Sequence, residues 1–169
     1  MTPAKEPAIA VDEQADEAPL FAGPMAVARA VAFFLGGQRY ALPLERVHEI
    51  QQIVAFSETS EGLSSVVGMV NLRGSVIPAI DMRVLVGLEK QAYTLETPMI
   101  ITDTHGQMVA LIVDEVQDVL ELPEGCMQDA PPLHALSSKM IGVCRMADGL
   151  MNLLDIDLLL SADQFREGR

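Results

Sequence analysis

Aromatic residues are scarce in this chain: they make up 4% of its 169 positions, and tryptophan is absent. Any core must therefore be aliphatic, filled by Val, Leu, Ile, Ala and ten Met. Positive charge is also scarce. Eleven Lys and Arg face 24 Asp and Glu, for a formal net charge of −13. Such a chain repels phosphate backbones and anionic lipid heads, which argues against nucleic-acid partners and electrostatic membrane binding. Cysteine is limited to Cys126 and Cys144. Two cysteines cannot make a disulfide framework or a complete zinc site unaided. They read as free, small, buried hydrophobes of a reducing, cytoplasmic compartment. No uninterrupted apolar run reaches the ~20 residues a spanning helix needs. The most apolar window, 18–37, is broken by Pro19, Gly23, Pro24 and Arg29, and it follows an acidic start rather than the basic one of a signal peptide. Neither secretion nor direct membrane insertion is expected.

What is present suffices for a folded domain. Half of the residues are apolar and 21% are charged, which excludes wholesale disorder. The length suits one ordinary domain, or two very small ones sharing a core. Residues 1–28 read as a solvated acidic tail. Lys5 stands there against Glu6, Asp12, Glu13, Asp16 and Glu17, and Pro3, Pro7, Pro19 and Pro24 interrupt any helix. The folded part runs from about 29 to 165.

From Arg29 onward the pattern is one of short strands. Val31, Phe33 and Leu35 alternate with Ala30, Ala32 and Phe34, so both faces are apolar, and Gly36-Gly37 offers a tight turn. Strands are expected over 39–43, 44–50, 64–72 and 75–80, with a polar turn over 57–62 and Arg73-Gly74 at a hairpin tip. Asp81 caps a short helix over 82–86. A second block has the same character, with strands over 99–103, 107–113, 116–122, 139–146 and 150–156, then Asp157 capping a helix over 158–165. Pro78 inside a strand points to an edge. Nine or ten short strands with Gly-containing turns make an all-β pattern. Strands apolar on both faces fit two small barrels packed side by side, roughly 29–90 and 91–165, with some strands serving both their own core and the seam.

Catalytic motifs are missing. The chain has no GxxxxGK[ST], no GxGxxG and no GxSxG. His48-Glu49 begins like HExxH, but Gln52 stands where the second zinc ligand belongs. His48, His105 and His134 lie in separate segments and read as scattered exposed histidines. Asp114-Glu115 reads as a solvated edge, since adjacent strand residues point to opposite faces. No nucleophile, base and oxyanion donors converge, so no enzyme, metal or cofactor is expected. An SH3-like groove for Pro-rich ligands would need exposed aromatics, and several of the seven available fall in core strands.

The most unusual segment is GMVNLRGSVIPAIDMR, residues 68–83. Read alone, Arg73 pairs with a nearby carboxylate and Gly74 supplies the turn, while Asn71, Asp81 and Arg83 are structural. The segment also resembles the G-x-x-N-x-R-G-x-x-x-P-x-x-D-x-R signature of CheW-like adaptor domains. The upstream AFFLGGQRYALPLERVHEI, the downstream MVALIVDEVQDVLEL and the closing MIGVCRMADGLMNLLDIDLLL resemble further segments of that family, in the same order.

The resemblance covers about 29–160. It implies two five-stranded SH3-like β-barrels with a C-terminal helix, and an adaptor without catalysis of its own. The implied partners are the regulatory domain of a CheA-type histidine kinase and the cytoplasmic helical hairpin of methyl-accepting chemoreceptors. Barrel ends of adaptor and kinase would dock pseudosymmetrically into arrays, and the receptor tip would sit in the groove between barrels. By motif position, Leu44, Val47, Glu49 and Arg73 would line or support that groove. Aliphatic Leu44 and Val47 suit a helix-in-groove contact, and Glu49 and Arg73 would supply polar register. For Val47 plain core packing is the competing reading, for Glu49 a solvated charge, and for Arg73 a brace between barrels. The alternative role is a CheW-like or SH3-like binding module in a non-chemotaxis pathway such as pilus motility or surface sensing.

Overall fold

The computed structural model describes residues 29–53, 57–58, 65–132 and 136–160. The expected tail over 1–28, His134, and the 161–165 part of the expected last helix lie outside the described residues. The elements run β1 (Arg29–Leu35), β2 (Gln38–Pro43), β3 (Val47–Gln52), β4 (Ser57–Glu58), β5 (Val66–Leu72), β6 (Ser75–Asp81), α1 (Met82–Leu85), β7 (Pro98–Thr104), β8 (Gln107–Ile112), β9 (Glu115–Glu121), β10 (Met127–Gln128), β11 (Met140–Met146), β12 (Gly149–Leu154) and α2 (Ile156–Leu159). They form two six-stranded sheets, ordered β10-β11-β12-β2-β1-β9 and β3-β7-β8-β6-β5-β4. Each has five longer strands and a two-residue sixth, β10 or β4. The fold is thus mostly β with short helices, as expected. Neither sheet closes into a barrel through backbone pairing among the described residues.

The sheets do not divide the chain near residue 90. The second sheet is the contiguous stretch β3 to β8, whereas the first combines β1 and β2 with β9 to β12. Relative to the expected two blocks, two strands are exchanged between the sheets. β3 leaves the β1–β2 hairpin to pair with β7, and β9 leaves β7–β8 to pair with β1. The redirection is visible at Leu44–Arg46, which forms a 3-10 turn instead of the start of a strand. A pseudo-twofold relation follows, in which β12 pairs in parallel with β2 just as β6 pairs in parallel with β8. A faint repeat underlies it: Gly37, Gln38, Ala41, Leu42 and Val47 fall in step with Gly106, Gln107, Ala110, Leu111 and Val116.

Two-sided apolarity has the expected use. Phe33, Leu35, Tyr40 and Leu42 of the first sheet meet Ile80, Ile100, Val109 and Leu111 of the second in a shared seam. The alternate residues Met99, Ile101, Ala110 and Ile112 fill a core private to the second sheet. Ala30, Ala32, Ala41, Cys144, Met151 and Leu153 fill the first sheet's own core. Strand period 2 thus sends successive residues to different cores. Met99, Met140 and Met151 are buried filler, the role a flexible thioether serves best.

Several local expectations are corrected. Pro78 is not on an edge, because β6 lies between β5 and β8. It is tolerated where the parallel ladder to β8 has yet to begin, at Ala79. The last helix is capped by Asp155, whose carboxylate accepts from the N–H groups of Asp157 and Leu158. Cys126 and Cys144 are not free: they form a disulfide, with Cα atoms 4.9 Å apart. The pairing of β10 with β11, Met127 opposite Cys144, brings them together.

Two ion pairs tie the sheets at equivalent places with reversed polarity. Arg83 on α1 pairs with Asp114, which leads from β8 into β9 and also accepts from the Gly36 N–H of the β1–β2 turn. Asp157 on α2 pairs with Arg46, which leads from β2 into β3 and also donates to the Asp103 carbonyl. Asp114 is therefore a bracing residue, not a solvated edge. Asp81 is buried beneath α1 and accepts from the Arg83 N–H at 2.9 Å and the Tyr93 hydroxyl at 2.6 Å. Neither of the two histidines described is idle: His48 meets Asp103 at 2.7 Å, and His105 meets the Leu160 carbonyl at 2.7 Å.

The Arg46 hydrogen bond, joined by one from the Thr104 hydroxyl, holds the Asp157 carboxyl below its ordinary range against the opposing effect of desolvation. A folded pKa below the unfolded one gives stability that is present above about pH 4 and is lost as pH falls through the folded value. Asp157→Asn is accordingly expected to lower stability at pH 7 and to flatten the loss below pH 4. Urea midpoints between pH 3 and 7 check this.

Candidate partner-binding site

Three of the four candidate residues, Leu44, Val47 and Glu49, lie where the chain crosses from one sheet to the other, and Arg73 reaches Glu49 from the β5–β6 turn. Leu44 sits in the 3-10 turn and is half-buried. Val47 opens β3 and packs on the seam core. Glu49 follows on the same strand, but a bulge intervenes: Val47 stands opposite Thr102, and Glu49 stands opposite Ile101. Thr102 and Ile101 are neighbours on β7, so they face opposite sides of the sheet. Val47 and Glu49 are thereby turned apart, although a regular strand would place them on one face. The same bulge puts Ile50, opposite Ile100, on the seam side with Val47. Ile50 is 42% exposed. Val47 and Ile50 thus share the seam face of β3, with half-buried Leu44 just ahead of them in the 3-10 turn.

Glu49 and Arg73 form a second feature. Arg73 occupies the β5–β6 turn with φ 52°, and Gly74 follows with φ 87°. This left-handed pair is the two-residue turn that matches strand twist, and the Asn71 side chain accepts the Gly74 N–H at 3.0 Å. Arg73 Nη1 lies 2.8 Å from Glu49 Oε1, and Gln51 donates to the other Glu49 oxygen at 3.0 Å. Hydrogen bonding to Glu49 raises the Arg73 pKa above its usual value. Both residues belong to the second sheet, so Arg73 does not brace the two sheets. It ties the edge strand β3 to the far hairpin of its own sheet and keeps an exposed guanidinium at the tip. The arrangement offers a planar donor and a half-buried carboxylate.

Beside that tip, Val76 is 62% exposed. Its counterpart across the pseudo-twofold is Leu150, 54% exposed in the β11–β12 hairpin, and the counterpart of Ile50 is Val119, 48% exposed on β9. Ile50, Val76, Val119 and Leu150 were not among the candidates from sequence. The bulges that expose Ile50 and Val119 leave no trace in composition, but the faint internal repeat places both at the same step.

Comparison with known proteins gives a consistent result. The CheW-like domain family matches residues 29–164 of the chain. "Chemotaxis protein CheW" of Klebsiella aerogenes is 28% identical over 137 residues, covering 78% of this chain and 81% of that protein. The protein of the same name in Bacillus subtilis is 27% identical over 135 residues, covering 79% and 86%. "Protein PilI" of Pseudomonas aeruginosa is 24% identical over 106 residues, covering 62% and 60%. The crystal structure of the scaffolding protein TtCheW from Thermoanaerobacter tengcongensis superposes with a TM-score of 0.74 at 27% identity, covering 82% of this chain and 95% of that one.

Proposed function

Because the chain belongs to the CheW-like domain family, we propose that it is a non-catalytic adaptor that joins chemoreceptors to a CheA-type histidine kinase in a cytoplasmic chemosensory array. The observation that carries this reading is the bulge in β3, which turns Val47 and Ile50 to one side and Glu49 to the other and so separates an aliphatic surface from a charged one. The aliphatic surface of Leu44, Val47 and Ile50 suits the apolar face of a receptor's helical hairpin, since such helices dock through aliphatic anchors at i, i+3 and i+4. The Glu49–Arg73 tip, with exposed Val76, suits the end of a second β-unit, and the kinase's regulatory domain is the partner proposed for it. Glu49 and Arg73 thus remain partner-binding candidates, assigned to the kinase side instead of the receptor groove.

Binding of the purified full chain to the two partners tests this. Arg73→Glu is expected to weaken affinity for the kinase regulatory domain at least tenfold, because it removes the exposed guanidinium and reverses the charge of the tip. The variant's affinity for the receptor hairpin is expected to stay unchanged, and its unfolding midpoint to fall only slightly, because the pair that is lost is exposed on the Arg73 side. Unaltered kinase affinity would contradict the assignment. The similarity to Protein PilI favours a second reading, in which the same two surfaces serve a non-chemotaxis pathway such as pilus motility or surface sensing. The identity of the kinase and receptors recovered with the chain as bait separates the two.

A further inference from the structure

The first sheet's own core is rich in small and sulfur-bearing side chains, with Leu153 beside them. Ala30, Ala32, Ala41, Cys126, Cys144 and Met151 build it, and Met127 and Met146 pack against it. Its outermost strand, β10, is held by little. Among the described residues only Met127 and Gln128 of this segment pair with β11, opposite Cys144 and Val143, and the Arg145 N–H donates to the Cys126 carbonyl at 3.2 Å. Two ladder pairs are far fewer than a stable edge needs. The strand nevertheless lies unusually close to its neighbour. A Cβ on Gly142 would come within 2.6 Å of the Gln128 carbonyl oxygen and 2.9 Å of the Met127 sulfur. The Cys126–Cys144 bond is the one covalent tie across this contact, and it spans 18 positions of sequence. Just beyond β10, Pro131 forms a wall of a cleft of about 560 Å3 that Arg39, Val143 and Leu150 also line.

We propose that Cys126 and Cys144 are a reversible thiol–disulfide switch that docks or releases β10 and, with it, the Pro131 wall of the cleft. The oxidant is a low-molecular-weight disulfide of the glutathione class. Cys126 is at the margin of burial and Cys144 is fully buried, so Cys126 takes the first step. Its thiolate attacks the small disulfide, forms a mixed disulfide and expels one thiolate, which takes up a proton. The Cys144 thiolate then attacks the Cys126 sulfur and expels the second thiolate, which is likewise protonated. Two protein thiols are oxidised by two electrons to one disulfide, and one small disulfide is reduced to two thiols. Excess thiol reverses both steps. In the oxidised chain β10 is clamped over Gly142. In the reduced chain two ladder pairs, the Arg145–Cys126 hydrogen bond and Met127 packing hold it without a covalent tie, and local opening follows without loss of the sheets.

Hydrogen exchange on the full chain, equilibrated in either excess glutathione disulfide or excess reduced glutathione, tests this. Thiol counting is expected to find no free thiols in the first buffer and two in the second. Amides of 126–128 are expected to exchange at least tenfold faster in the reduced chain, while β1 and β2 stay equally protected in both. The double variant Cys126→Ala, Cys144→Ala is expected to match the reduced chain in either buffer. Three results would each overturn the proposal: two free thiols persisting under excess glutathione disulfide, identical exchange at 126–128 in both states, or loss of protection across the whole first sheet on reduction.

Discussion

Replacing Arg83 by alanine is expected to lower the free energy of unfolding by about 3 kcal/mol, the cost of breaking a largely buried ion pair by removing one partner. The Arg83 and Asp114 side chains are only 13% and 24% exposed, so water cannot fully replace the lost partner. Asp114 has a second duty, accepting the Gly36 N–H at 2.8 Å, and Arg83 also donates through Nε to the Glu89 carbonyl at 2.7 Å. Removing Arg83 therefore leaves a carboxylate with one hydrogen bond fewer between the β1–β2 turn and α1, where the two sheets are joined. Asp114→Asn keeps the Gly36 acceptor and drops the charge, so it is expected to cost less. The double variant is expected to fall well short of the sum of the two single effects, because the groups act on each other. Urea midpoints of the four proteins measure all three statements. Additive losses would mean that the pair is not the bracing element.

The second large effect is on binding. Ile50→Asp is expected to weaken affinity for a receptor hairpin fragment at least tenfold, about 1.4 kcal/mol or more. It places a charge on the aliphatic surface that the partner helices would have to desolvate. Ile50 is already 42% exposed in the free chain, so the fold is expected to lose less than about 0.5 kcal/mol, as surface substitutions do. Val47→Asp makes a weaker experiment. Val47 packs on the seam core, and burying a carboxylate there would destabilise the sheets as well as the contact. A receptor affinity that survives Ile50→Asp would move the receptor surface away from the seam.

How much of this was legible beforehand depends on the period of the signal. Alternation of period 2 in 31–35 and 107–113 revealed the strands, and apolarity on both faces revealed a shared seam. Glycines next to polar residues revealed the hairpins, because a positive φ at Gly74 or Gly106 is a local requirement. The signature around Arg73 marked the right neighbourhood, and its bond to Glu49 is the carboxylate pairing that a turn arginine suggested. Three things were hidden because they are set by tertiary packing. The exchange of β3 and β9 follows from where the chain is steered after Pro43, not from any residue's propensity. The bulge that turns Glu49 away from Val47 depends on β7. The joining of Cys126 to Cys144 depends on β10, a strand of two residues too short to show a pattern.

The adaptor reading rests on two surfaces working at once, and a single sedimentation experiment addresses it most directly. Purified chain would be mixed with a receptor hairpin fragment and a kinase regulatory domain, each alone and then together. The expected result is a ternary species containing all three, with each partner's affinity undiminished by the other. Mutual displacement, so that only binary complexes form, would contradict the separation of the Leu44–Val47–Ile50 surface from the Glu49–Arg73 tip.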